Sequence, residues 1–178
     1  DIMVFGPSDH HDIWYNDRTW RYRTVAALED LSKSAIKAST VADANADGFV
    51  EIYVLQKSNG LGVWQRAASG WQFEPVIAPA RSKRTWDELA VNDFNGDGRP
   101  DLLLSGPNGF DVFDLANDLF LFSSDIKIAS AIAVTLQPEE GPSVVVAGNT
   151  GLYAWNPGPG RHPFLTLIPT GKSEAEQM

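Results

Sequence analysis

The sequence predicts an all-β chain assembled from a repeated four-stranded unit. Three observations carry that prediction. The stretch Val91 to Asp101, VNDFNGDGRPD, runs into the apolar Leu102-Leu103-Leu104, and DANADGFVE at Asp43 to Glu51 repeats the pattern before Ile52 to Leu55. Asp43 and Asp93 lie 50 residues apart, one repeat length for a unit of four strands. Aligning the chain on these two stretches brings aliphatic and aromatic runs into step four times, with short Gly- or Pro-containing turns between them.

Taken in order within a unit, the first strand precedes the acidic loop, at Ala35 to Val41, Thr85 to Val91 and Ile128 to Val134. The second follows the loop, as Asp1 to Phe5, Glu51 to Leu55, Asp101 to Leu104 and Ser143 to Val146. The third is aromatic: Ile13-Trp14-Tyr15, Val63-Trp64, Val112-Phe113 and Tyr153-Ala154-Trp155. The fourth is Trp20-Arg21-Tyr22, Trp71-Gln72-Phe73, Phe120-Leu121-Phe122 and Phe164 to Leu167. Four strands per repeat of about 40 to 50 residues is the pattern of β-propeller blades of antiparallel strands. The units run approximately over 1–34 (partial), 35–84, 85–127 and 128–170, with a polar tail at 171–178. Asp1 falls at the last position of a loop whose earlier positions are missing, so the expectation is about four blades of a larger propeller. Within Ala26 to Ser39, Leu28, Leu31 and Ile36 are loosely at helical spacing; its first half reads as an irregular or helical connection and its second half as the next inner strand.

Composition narrows the function. With 178 residues, 43% hydrophobic and 11% aromatic, the chain has the makings of a folded core, and no apolar run approaches the roughly 18 residues that span a bilayer. A net charge of -9 argues against nucleic-acid binding, which calls for a basic face. The absence of cysteine removes disulfides and thiolate metal sites.

The acidity concentrates in the two loops. Asp93, Asn95, Asp97 and Asp101 place side-chain oxygens at loop positions 1, 3, 5 and 9, Gly98 permits a positive φ, and Arg99 sits where a backbone carbonyl adds a further oxygen. Asp43, Asn45, Asp47, Gly48 and Glu51 repeat this set. Alternate oxygens on a short curled loop converge on a hard cation such as Ca²⁺ at roughly 2.3–2.6 Å. Two such ions would return four of the charges, taking the balance from -9 to -5. An EF-hand is excluded, because position 12 is Val54 in one loop and Leu104 in the other, and strand-like rather than helical runs flank both.

DFNGDGRPDLLL and DANADGFVEIYVL resemble the calcium loops of FG-GAP/VCBS repeat proteins, the class that includes the integrin α-subunit propeller. The unit tails, such as IWYNDRTWRYRTV, resemble those of the bacterial ASPIC/UnbV and cartilage-acidic-protein group. This resemblance implies a propeller of an exported protein, secreted or periplasmic, with two structural Ca²⁺ ions in loops between the first and second strands of a blade. It implies ligand roles for Asp43, Asn45, Asp47, the Phe49 carbonyl and Glu51, and for Asp93, Asn95, Asp97, the Arg99 carbonyl and Asp101. Glu51 departs from the usual Asp at the ninth position, and Leu136 to Pro142 lacks alternating oxygens, so no ion is expected in the fourth unit.

The remaining candidates are weaker. His10, His11 and Asp12 read as a solvated hairpin, because neighbouring residues on a strand point to opposite faces. No nucleophile elbow, phosphate loop or zinc spacing is present, and His162 has no nucleophile beside it, so no catalytic residue is assigned. Trp14, Trp64, Trp71 and Trp155 recur at matched positions and are expected in the core, whereas Trp20 and Trp86 are expected at the surface. The sequence therefore points to a non-enzymatic calcium-binding module for adhesion or recognition of a protein or cell-surface glycan. Its alternatives are a lectin-like propeller or an accessory domain of a larger extracellular enzyme.

Overall fold

The computed structural model describes residues 2–5, 11–18, 20–25, 35–58, 60–68, 70–76, 84–137 and 140–156. They form four antiparallel sheets, each a simple meander in chain order. The first comprises β1 (Ile2–Phe5), β2 (His11–Asn16) and β3 (Tyr22–Val25). The second has four strands: β4 (Ile36–Ala42), β5 (Glu51–Gln56), β6 (Leu61–Ala67) and β7 (Gly70–Pro75). The third is likewise four-stranded, with β8 (Glu88–Asn92), β9 (Asp101–Gly106), β10 (Gly109–Asp114) and β11 (Leu119–Ser124). The fourth contains β12 (Ile128–Gln137), β13 (Gly141–Gly148) and β14 (Gly151–Trp155).

The fold is all-β with propeller-like blades, as the sequence predicts. The strand expected at Phe164 to Leu167 and the helical connection before Ala35 lie outside the described residues, while the second half of that segment is β4. Trp20 and Arg21 fall before β3, not in it, because Arg18 and Trp20 take left-handed backbone angles (φ 65° and 59°) in the turn closed by the Asp17 N–H to Arg21 carbonyl bond.

The second strand of each central sheet is apolar on both faces, because a neighbouring sheet packs on each. Along β5, Ile52 and Val54 face the first sheet's Met3, Phe5 and Tyr15, whereas Tyr53 and Leu55 face Leu102, Leu104 and Phe113 of the third sheet. Along β9, Leu103 turns the other way, joining Phe94, Phe110 and Val112 against Ile128, Ala131, Val144 and Val146 of the fourth sheet. The period-two alternation of a strand thus feeds two cores at once. Complete burial of each such aliphatic or aromatic side chain contributes roughly 1.5–3 kcal/mol. Polar contacts join the first strands. Lys37 Nζ on β4 reaches the Trp86 carbonyl and Asp87 Oδ1, each at 3.0 Å, and Glu88 on β8 accepts hydrogen bonds from Ser105 Oγ (2.9 Å) and Ser130 Oγ (3.2 Å).

The two end sheets each keep an apolar face without a partner sheet among the described residues. Ile2, Val4, Trp14 and Tyr22 are exposed on the side of the first sheet that turns away from β5, and Ile132 and Leu152 are exposed on the far side of the fourth.

Several aromatic expectations are corrected here. Trp64 is buried as expected and Trp71 and Trp155 are half-buried against the cores, but Trp14 is exposed because it lies on that open face. Trp20 is exposed as expected, at 87%. Trp86 is instead buried between the second and third sheets, where its indole Nε1 donates to Asp111 Oδ2 at 2.8 Å. His11 is buried rather than solvated, its ring 5.5 Å from that of Phe5 and edge-on to it; His10 lies outside the described residues.

Candidate metal centres

Both acidic loops join the first strand of a sheet to the second. One runs from the end of β4 at Ala42 to Glu51, the first residue of β5; the other runs from Asn92 on β8 to Asp101 on β9. At the same place in the fourth sheet Gln137 pairs directly with Gly141.

The two loops share one hydrogen-bond scaffold, position for position except at one donor to the first carboxylate, which is position 5 in the first loop and position 4 in the second. The position-1 carboxylate accepts two backbone N–H bonds: Asp43 from Asp47 (3.1 Å) and Gly48 (3.0 Å), Asp93 from Gly96 (2.6 Å) and Gly98 (2.9 Å). At position 3, Asn45 Oδ1 and Asn95 Oδ1 accept the N–H groups of Asp47 (2.9 Å) and Asp97 (2.8 Å). At position 5, Asp47 Oδ1 and Asp97 Oδ1 accept those of Phe49 and Arg99, both at 2.8 Å. The position-9 carboxylates reach back across the loop, Glu51 Oε2 to the Ala44 N–H (2.9 Å) and Asp101 Oδ2 to the Phe94 N–H (2.8 Å). Each carboxylate oxygen has lone pairs beyond the one engaged by an N–H, so these bonds fix the side chains and leave acceptor capacity free.

The backbone follows the same plan. Positions 4 and 6 are left-handed in both loops: Ala46 (φ 59°) and Gly48 (φ 86°) in the first, Gly96 (φ 77°) and Gly98 (φ 84°) in the second. A Cβ on Gly48 or Gly98 would meet nothing within 4 Å, so the preference for glycine there is one of backbone angle alone. Gly98→Ala is therefore expected to cost roughly 1–2 kcal/mol, read as a lower urea midpoint with an unchanged slope.

The loops differ in how tightly they are embedded. Asp43, Asp47 and Glu51 bring three carboxylate oxygens within 4.8 Å of one another, the one group of that kind among the described residues. Oxygens on opposite sides of a Ca²⁺ lie about 5 Å apart, so this all-oxygen set matches a hard cation in size and in chemistry. Asp93, Asp97 and Asp101 share the scaffold but sit more loosely. They are, however, better anchored: Phe94 at position 2 is buried in the core against the fourth sheet, where the first loop has the half-buried Ala44. Of the backbone-carbonyl candidates, Phe49 has an exposed side chain with the Arg66 guanidinium 5.5 Å over its ring, and Arg99 is exposed.

Electrostatics separates the position-9 residues from the rest. Burial pushes the Asp101 carboxyl up to about 7, helped by the charges of Asp114 and Asp93 and opposed by the Phe94 N–H bond. Burial also raises Glu51, with Asp47 and Asp43 adding to the rise and the Ala44 N–H opposing it. Both carboxylates are thus in surroundings that disfavour negative charge unless a positive charge accompanies it.

Two buried acids were not legible as site residues in the sequence. Asp111 on β10 is buried and is held by Arg84 Nη1 (2.7 Å) and by Trp86, both in the segment that leads into β8. Asp114, the last residue of β10, pairs across the sheet with Asp101 and bonds Asn95 of the second loop. Its only signal in the sequence is an acid ending the aromatic run FDVFD.

Residues 43–104 match the model of the FG-GAP-like repeat. The matched span opens on Asp43, the first oxygen position of one loop, and closes on Leu104 in β9, so it includes both loops and β5 to β7 of the second sheet, but not β4. The match is to the repeat and does not extend to a subgroup such as ASPIC/UnbV. No curated protein and no solved structure matches the chain.

Proposed function

We propose that this FG-GAP-like repeat chain is a non-enzymatic, calcium-binding propeller module of an exported protein, serving adhesion or recognition at a cell surface. The observation that carries this reading is the shared scaffold of the two loops: ten side-chain-to-backbone bonds, five in each, hold the same oxygen types at the same positions. Asp43, Asn45, Asp47 and Glu51, with the Phe49 carbonyl, would hold one ion, and Asp93, Asn95, Asp97 and Asp101, with the Arg99 carbonyl, the other. A bound Ca²⁺ supplies a divalent charge at the joint between first and second strands; its role is structural. Extracellular calcium modules bind at about 10⁻⁴–10⁻³ M, so such loops fill in a calcium-rich space outside the cell. Further blades of the same propeller are the natural cover for the apolar faces at Ile2, Val4 and Trp14 and at Ile132 and Leu152.

The test is calorimetric titration with CaCl₂. Two sites are expected, one abolished by Asp47→Ala and the other by Asp97→Ala. A folded protein that takes up no Ca²⁺ would remove the reading.

A further inference from the structure

We propose that Asp114, which lies outside both loops, is a positioning residue for the second loop and makes that site depend on the β10–β11 turn. The inference rests on the calcium reading above and deepens it.

Asp114 is 2% exposed and its two oxygens divide their work. Oδ1 accepts the backbone N–H groups of Ala116 and Asn117, both at 2.9 Å, which closes the turn. Oδ2 accepts Asn117 Nδ2 at 2.9 Å and Asn95 Nδ2 at 3.2 Å. The second of these decides how the position-3 amide is oriented. With its nitrogen committed to Asp114 and, at 3.3 Å, to Asp97 Oδ2, Asn95 must turn its oxygen inward, where it meets the Asp97 N–H. An amide free to flip would offer a cation its nitrogen half of the time; the buried carboxylate removes that freedom.

The first loop has no such device. Asn45 is exposed, and its nitrogen bonds Asp47 Oδ2 at 3.2 Å. Continuing the β5–β6 register by one residue from the Ile52–Trp64 pair, the counterpart of Asp114 opposite Glu51 is Gln65, which brings no charge. Asp114 also adds a fourth negative charge to the surroundings of Asp93, Asp97 and Asp101, and charge count and rigidity both govern affinity in such sites.

The experiment is a CaCl₂ titration of the protein with one loop silenced at a time by substituting an exposed residue, Asp47→Ala or Asp97→Ala. Asp114→Asn is then added to each. Asparagine at this position has one oxygen for two sets of donors, so it keeps the turn or the Asn95 bond and not both. The second loop, read in the Asp47→Ala protein, is expected to weaken about tenfold, and the first loop, read in the Asp97→Ala protein, is expected to be unchanged. A second-loop affinity unaltered by Asp114→Asn, or an equal loss at both loops, overturns the proposal. Should Asp114→Asn fail to fold, the wild-type protein still decides. In EDTA, the Asn95 side-chain amide protons should exchange with solvent several-fold more slowly than those of Asn45, seen by nuclear magnetic resonance. Equal exchange rates overturn the proposal. No Ca²⁺ uptake at either loop of the wild type removes the functional reading itself, a different result from uptake that ignores Asp114.

Discussion

In 10 mM CaCl₂ the protein is expected to melt well above its melting temperature in EDTA. A ligand that binds only the native state stabilises it by RT ln(1 + [L]/Kd), about 2.7 kcal/mol per site at a hundredfold excess over Kd, or roughly 5 kcal/mol for two sites. At about 2–4 °C per kcal/mol for a chain of this size, the rise is roughly 10–20 °C. Asp47→Ala and Asp97→Ala should each remove about half of it. Neither is expected to matter much in EDTA, since both side chains are exposed. MgCl₂ at the same concentration should do less, because Mg²⁺ holds its waters and demands stricter octahedral geometry. Melting curves that coincide in EDTA and CaCl₂ would count against ion binding at both loops.

The second large effect is a reversal of pH dependence. Asp101 in the folded protein titrates near 7, above its ordinary value of 3.8. A group whose folded pKa is raised contributes stability that is fully present below the unfolded value and lost as pH rises through the folded one. In EDTA, therefore, stability should fall between about pH 4 and pH 7, by an amount on the order of 4 kcal/mol at about 1.4 kcal/mol per pH unit. The raised Glu51 acts in the same direction. Calcium inverts the sign, since an adjacent dication favours the carboxylate, and stability should then rise with pH across the same window. The check is the urea midpoint at pH 5 and pH 7.5, with EDTA and with CaCl₂, for wild type and Asp101→Asn. The variant should flatten both trends, gaining stability in EDTA at pH 7.5 and losing it in CaCl₂. A wild type that gains stability with pH in EDTA by as much as Asp101→Asn would show that Asp101 is not the group responsible.

What was legible in the sequence was what repeats locally. The second strands could be read because Ile52 to Leu55 and Leu102 to Leu104 are apolar without interruption, the mark of a sheet covered on both faces. The loops could be read because their oxygens are spaced along a few consecutive residues, and the hydrogen bonds at Asp43 and Asp93 are correspondingly short-range. Long-range placement was not legible. Trp14 and Trp64 occupy matched third-strand positions, yet one is exposed and the other buried, because burial here depends on whether a sheet lies alongside. Trp86 precedes its strand and meets Asp111 only once the sheet forms. Asp114 reaches the second loop through cross-strand register, which no spacing within the loop reveals. His11 reads as polar in a string of His and Asp, but its partner is the Phe5 ring across the hairpin.

The open faces at the two ends give the array a direction. Met3 and Phe5 of the first sheet look toward the second, and Val144 and Val146 of the fourth look toward the third, so each sheet presents one face to its predecessor and the opposite face to its successor. An added sheet covers one exposed face and leaves another of the same kind behind it. Contacts of this sort are head-to-tail rather than two-fold, and such series end only when the last member meets the first. The rotation from one sheet to the next therefore decides between a closed ring and an open, growing filament, and sheets of unchanged chemistry would polymerise if that angle failed to sum to a full turn.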